Sequence, residues 1–277
     1  MASAASPSEI AAFARRHDPD RFLCALFAPP GRREALFALI GYNHELARAR
    51  EAARTPLIAL MRLQWWRDAV TQAATGAPPR RHEVAAPLHA AVVAGLLDVA
   101  DLVGLADARE IEADEDGLPT TAALHAYLRG TAGGFAVTAG RLLGAPVALL
   151  PALQAAGAAY GLAGVLRSVP VLAGQGRCLL PADALAAAGL APEAVVADPG
   201  SAAVRGIVAR LAESSRATAA SLARSLRGLP RDAVAAGLPL VLARRDLRRL
   251  AHGQPGPAAR RAGDRLAVVF AGLRGRV

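Results

Sequence analysis

The chain has 277 residues, 53% of them hydrophobic and only 4% aromatic, and its formal charge of +9 rests on 32 basic residues that are all arginine. A chain of this length buries roughly 70 to 75% of the surface its unfolded form exposes, enough for one core and no second domain. Two lone cysteines, Cys24 and Cys178, with no CxxC exclude a cysteine-ligated metal site, and the absence of zinc-finger spacing, aromatic-interleaved Arg patches or a glycine-arginine tail gives no reason to expect nucleic acid.

The apolar residues are mostly Ala, Leu and Val, which enter helices at small entropic cost, and strand-like alternation is scarce, so the expected class is all-α. The arginine excess reads either as a solvated face shaped by coding bias or as a surface that attracts anionic lipid or acidic protein. The first twenty residues lack the charged n-region and continuous apolar core of a secretory signal. Apolar stretches such as Val84 to Leu97 and Ala233 to Ala243 are interrupted or shorter than the ~20 residues that span a bilayer. A cytoplasmic location is expected, with contact at a membrane surface left open.

In chain order, Ser6 caps a first helix to Arg16 with Pro7 in its first turn. A short helix follows at Asp20 to Phe27, stopped by Pro29, Pro30 and Gly31. From Arg33, the run REALFALIGYNHELARAREA sets Leu36, Leu39, Ile40, Asn43, Leu46 and Ala47 on one stripe, a helix period that ends before Pro56. Thr55 or Pro56 opens the next helix, up to the loop Thr75 to Pro79. Helices over Val84 to Leu97 and Asp98 to Glu110 precede the acidic string Glu110 to Asp116, which with Gly117 reads as a solvated turn.

Thr120 or Thr121 caps a long helix, Ala122 to Leu143, whose GTAGGF segment holds three glycines. Glycine costs a helix about 1 kcal/mol relative to Ala, so close approach of another helix or a ligand is the reading for keeping them. Another long helix runs from Pro146 to Ala173. An extended segment from Gly176 to Asp183 and a short helix follow, and Pro192 to Gly200 reads as loop. Three helices close the chain: Ser201 to Leu226, Arg231 to Leu250 and Pro257 to Phe270. No repeat or long linker divides the series, so residues 1–277 read as one domain.

The segments REALFALIGYNHELARARE, LIALMRLQWWRDAV, YLRGTAGG and YGLAGVLRSVPVLAGQGRCLLPAD together resemble the squalene and phytoene synthase family, from about Arg21 to Asp183. That resemblance implies an all-α, isoprenoid-synthase-type helical bundle around a central cavity. It also implies two aspartate-rich helices facing each other, whose carboxylates hold Mg²⁺ ions that neutralise prenyl diphosphates. Mg²⁺ requires oxygen ligands in near-octahedral order.

The first aspartate-rich motif falls on His44, Glu45 and Arg48, where only Glu45 keeps a carboxylate and His44 and Arg48 lie four apart on one helix face. The second falls on Ser168 and Leu172, with Pro170 between them, although Gly161, Leu166, Arg167, Gly176, Arg177, Leu180, Pro181 and Asp183 are retained around it. Glu51 and Asp68 are the acids nearest in sequence that could substitute. The expectation is no catalytic residue, no metal site and no cofactor. The alternative is an Mg²⁺-dependent prenyltransferase that couples prenyl diphosphates.

DRFLCALFAP, YNHELARARE and RLQWWRDAV are similar to a divergent branch of the family that includes a mitochondrial complex I assembly factor and its bacterial relatives. Membership of that branch implies a scaffold for a respiratory NADH dehydrogenase. Its partners would be a subunit of that membrane complex and anionic lipid, met at the inner face of a bacterial inner membrane. The cavity face would carry Asn43, His44, Arg48, Tyr127, Arg167, Ser168 and Arg177, with the arginines open to an anion, a prenyl chain's phosphate or a lipid headgroup. Arg48 has the alternative of a structural pair with Glu45, Glu51 or Asp68. Tyr127, Ala132 and Gly133 match the family's tyrosine and small-residue pattern, which helix packing also explains. Trp65 and Trp66, being adjacent, cannot share a face, so one belongs to the core and the other to the cavity or a partner. Arg15 with Arg16 forms one basic patch. Arg244, Arg245, Arg248 and Arg249, paired at i,i+4, form a second, read as a solvated face or a membrane patch.

Overall fold

The computed structural model describes residues 8–114, 117–254 and 260–277. Helices account for all the regular structure among them. Ser8, not Ser6, caps α1 (Glu9–His17), accepting from Ala11 N–H at 3.2 Å; Ser6 and Pro7 lie outside the described residues. Asp18 caps α2 (Pro19–Ala25) in the same way, with Pro19 in the first turn where its missing N–H costs nothing.

Helix α3 (Pro30–Glu51) begins three residues before Arg33, again on a proline. Thr55 opens α4 (Pro56–Ala74) by accepting from Ile58 N–H. Helix α5 (Ala85–Val93) stops short of Leu97, because Gly95 takes a left-handed conformation, φ +66°. Asp98 caps α6 (Val99–Asp107) through two backbone donors.

The helix expected over Ala122 to Leu143 is present as α7 (Thr121–Leu128) and α8 (Gly134–Leu142), joined by a π-type turn, Arg129–Gly133. The glycines are there for helix contact. A Cβ on Gly133 would lie 2.8 Å from the Gln154 carbonyl oxygen, and one on Gly130 would lie 2.6 Å from Ala108 Cβ. That extra residue in the turn lets α9 (Leu150–Arg167) come against the segment at Gly157, whose Cβ would sit 2.3 Å from the Ala132 carbonyl oxygen.

Helix α9 does not continue to Ala173. It ends at Ser168, and α10 (Val169–Gly174) restarts with Pro170 in its first turn, the position a proline tolerates. Short helices α11 (Ala182–Ala186) and α12 (Pro192–Ala197) follow, the second where a loop was expected. The Arg231 to Leu250 span is broken at Pro239 into α14 (Val234–Gly237) and α15 (Pro239–Ala251), after α13 (Ala202–Ser225). Helix α16 (Ala262–Arg274) closes the described chain; the expected start at Pro257 lies outside the described residues.

Helix α9 is the axis of the packing, in contact with α7, α8, α13, α14 and α15. It also explains one departure from the sequence reading. Val147–Arg167 is long and apolar enough to cross a membrane, with mean hydropathy 1.5, although 44% of that window is buried inside the protein. Its Leu153, Ala163 and Leu166 belong to one apolar cluster that also takes in Leu39 and Leu46 of α3 and Leu240 and Leu247 of α15. Helix α3 packs on α1, α4, α5 and α8, and His44 of α3, Ser168 at the end of α9 and Leu172 of α10 border one opening.

Candidate functional site

That opening is a basin of about 410 Å³ lined by α3 (Asn43, His44), α7 (Tyr127), α9 (Arg167) and the Ser168 to Leu172 step. Arg177, from the segment before α11, completes it. Asn43, His44, Tyr127, Arg167, Ser168, Leu172 and Arg177 all line it.

Glu45 and Arg48 do not. Glu45 stands 100° further round α3 than His44, and it lines a separate apolar recess with Met61, Trp65, Trp66 and His82. The Arg48 guanidinium leans back toward it, Nη1 to Oε1 4.0 Å, and is 46% exposed. The last carboxylate of the first motif thus faces away from the basin, and the cation expected on the cavity face is a weak surface pair. Trp66 is core, and Trp65 is turned outward with Arg80 stacked over it at 4.7 Å.

The basin's own charges come largely from residues the sequence reading passed over. Glu112, assigned to a solvated turn, is buried. It accepts from Arg109 Nη1 at 2.6 Å, Tyr127 Oη at 2.9 Å and Arg177 Nη2 at 3.2 Å, and Arg109 also reaches Asn43 Oδ1 at 3.4 Å. Burial, with the Glu112 charge beside it, pushes the Tyr127 phenol well above its ordinary range, so it acts there as a donor. At the other end, Asp18 holds Arg21 at 2.8 Å while the Arg21 guanidinium lies over the rings of Phe135 and Tyr160.

Behind the basin wall, the buried Asp246 gathers Arg167, Arg249 and Arg260 within 3.3 Å. Arg167 Nε makes no aligned hydrogen bond there, and Arg21 Nε, also buried, has no acceptor in the protein.

His44 sits against His17, ring centroids 4.4 Å apart, and against Phe13. Burial, then the neighbouring His17 and Arg48, lower its pKa to about 4, so the ring is neutral at physiological pH. Glu51 does line the basin and accepts from Gln175 Nε2 at 3.2 Å, whereas Asp68 is held by Gln64 elsewhere on α4. A second cavity of about 480 Å³ shares Glu112, Arg177 and Leu179 with the first.

These residues do not fit Mg²⁺. At the motif positions the basin offers an imidazole, a neutral hydroxyl and the hydrocarbon of Leu172, in place of the oxygen anions that the ion requires. Of its three carboxylates, Asp18 and Glu112 are already ion-paired and Glu51, which accepts from Gln175, stands alone. Among the described residues no group of three or more His, Cys, Asp or Glu could hold a metal.

The expected arginine patch on α15 is also divided. Arg245 and Arg249 turn to the fully buried Asp264 of α16, with Arg245 Nε at 2.5 Å. Arg244 and Arg248 line a recess with Glu213, Arg216 and His252, and Arg245 stays 38% exposed beside its Asp264 contact. The i,i+4 pairing of Arg244 with Arg248 and of Arg245 with Arg249 does not keep the four on one shared side, because a carboxylate from another helix claims one pair. Retained Asp183 proves architectural: its carboxylate accepts from Thr121 N–H and Oγ1, tying α11 to the start of α7, and these donors hold it below the usual carboxylate range.

An all-helical bundle around such a basin is the isoprenoid synthase fold. A dehydrosqualene synthase solved with a ligand superposes with a TM-score of 0.78 at 14% identity, over 96% of this chain and 94% of that one. Squalene synthase HpnC from Alicyclobacillus acidocaldarius gives 0.74 at 16% identity, over 89% and 94%. The sequence matches the squalene/phytoene synthase family over residues 14–265, and the chain belongs to that family. A relative from Bos taurus, NADH dehydrogenase (ubiquinone) complex I, assembly factor 6, is 31% identical over 172 residues, which is 61% of this chain and 51% of the relative. The chain thus spans about half the length of the curated relatives it matches.

Proposed function

We propose that this protein is a non-catalytic member of the squalene/phytoene synthase family, a scaffold that works at the inner face of a membrane in assembly of a respiratory NADH dehydrogenase. The observation that carries the reading is the replacement of the metal grip: His44, Ser168 and Leu172 stand in the basin, and Glu45 faces away from it. Without divalent ions, two prenyl diphosphates would bring several uncompensated negative charges into a partly buried site. Support for the assembly role comes from the named relatives, complex I assembly factors of Bos taurus and Homo sapiens.

The basin retains a use under this reading. Arg21, Arg109, Arg167 and Arg177 all line it, and guanidinium forks suit a phosphate bearing a prenyl or acyl chain. Such a ligand would be held by arginine, with no metal and no turnover.

Two measurements test the proposal. Deleting the gene in the cell that encodes it is expected to deplete assembled NADH dehydrogenase on native gels, with recovery on re-expression. Purified protein given farnesyl or geranylgeranyl diphosphate with Mg²⁺ is expected to form no squalene-type or phytoene-type product above a no-protein control. Product formation would return the chain to the prenyltransferases, and unchanged assembly in the deletion strain would remove the scaffold role.

A further inference from the structure

Helix α16 has two apolar sides, and only one is packed. On the inner side Asp264 and Val268 are fully buried, and Gly272 lies so close to Phe27 that a Cβ would sit 2.5 Å from its ring. Asp264 accepts from both Arg245 and Arg249. This pair of ion contacts fixes the helix's rotation, because turning it about its axis would strand a buried carboxylate.

The outer side carries Leu266, Phe270 and Leu273, which are 53%, 56% and 60% exposed. At 100° per residue these three fall within about 60° of one another, and Arg265 and Arg274 stand about 100° and 80° to either side of Leu266. Asp264 is the helix's one carboxylate, and it is on the inner side. The outward surface of α16 is therefore an apolar stripe with arginine on both borders and no negative charge.

From this arrangement we infer that α16 is the surface by which the protein lies on an anionic phospholipid membrane. Leu266, Phe270 and Leu273 enter the boundary between headgroups and acyl chains. Arg265 and Arg274 follow on their apolar stems and meet lipid phosphates. Charge selects this occupant: phosphates surround an interfacial helix on both flanks, whereas a second copy packed symmetrically on the stripe would bring identical arginines together. The inference rests on the membrane part of the proposed function. It moves the contact from the α15 arginines, half of which are engaged by Asp264, to the opposite face of the helix they hold.

The full chain is tested by co-sedimentation with phosphatidylcholine vesicles, with and without phosphatidylglycerol. A Phe270→Trp variant, measured in a Trp65→Phe, Trp66→Phe background, serves as a depth reporter. Wild type is expected to pellet with the anionic vesicles alone. The reporter's emission should shift to the blue and be quenched by brominated acyl chains. Leu266→Ser, Phe270→Ser and Leu273→Ser together, all at exposed positions, should leave the circular dichroism unchanged and lower partitioning about tenfold or more. Arg265→Gln with Arg274→Gln should also lower it about tenfold and flatten its salt dependence.

A serine variant that pellets like wild type, or a reporter that stays in water while the protein pellets, overturns this inference and leaves a membrane contact elsewhere. Wild type that binds neither vesicle removes this inference together with the peripheral reading. Self-association without vesicles that the serine variant abolishes would identify a second copy on the stripe and likewise overturn it.

Discussion

The Arg177 guanidinium donates to the Glu112 carboxylate at 3.2 Å across 65 residues of chain, and the pair borders both cavities. Glu112 also serves Arg109 and Tyr127, so one acid balances two arginines of the basin. Glu112→Ala is expected to cost about 3 kcal/mol or more, since removing one partner of a buried ion pair leaves the others uncompensated. Urea unfolding measures it, and a loss under about 1 kcal/mol would mean that water takes over the role of Glu112.

Restoring acids at the three motif positions that face the basin should restore metal affinity. His44→Asp, Ser168→Asp and Leu172→Asp together are expected to take up Mg²⁺ in calorimetry, where wild type takes up none. Adding Glu45→Asp and Arg48→Asp should change little, because those side chains do not line the basin. A folded triple variant without Mg²⁺ uptake would show that the spacing of α3 and α9 no longer suits the ion.

His44 predicts a pH dependence. Its pKa in the folded chain is about 4, against about 6.5 when unfolded, so protonation favours the unfolded state. The stability that this site contributes is complete above pH ~6.5 and is lost as pH falls toward 4. The ring is only half-buried, which limits the effect to about 1–2 kcal/mol once solvent screening is allowed for. Thermal unfolding of wild type and His44→Phe between pH 7 and 4 should differ in slope by that amount, and parallel curves would refute the assignment.

Gly157 is where α9 meets the π-type turn. Gly157→Ala places a methyl group 2.3 Å from a backbone carbonyl oxygen, which cannot rotate away. Overpacking of this kind costs about 1–3 kcal/mol. Gly164→Ala on the same helix, with no atom within 4 Å of its added Cβ, should be neutral or stabilising by a few tenths of a kcal/mol. Equal effects at the two glycines would mean that helix propensity, not packing, decides.

Much of this architecture was legible from spacing alone. The stripe through Leu36, Leu39 and Ile40, the Thr55 cap and Pro56 at the opening of α4 are local signals, and each acts within a turn or two of its own position. Pro170, which intrudes between Ser168 and Leu172, stands in the first turn of α10 after α9 has ended, where a single continuous helix was expected. The π-type turn escaped notice because its glycines answer to Gln154 and Ala108, whose approach no local pattern encodes.

The candidate site divides along the same line. The sequence by itself determined which side chains stand at the motif positions: His44, Ser168 and Leu172 bring no carboxylate, whatever surrounds them. Only the tertiary structure decided which charges replace it. Glu112 sits in an acidic string that reads as solvated, and it becomes the acid of the basin because Arg109, Tyr127 and Arg177 converge on it. Arg245 and Arg249 are drawn into ion pairs because Asp264 arrives from another helix. A side chain's type follows from its codon and its helix face from local period. Its charge state and its partners depend on which distant group shares its low-dielectric surroundings, and that is settled only when the helices pack.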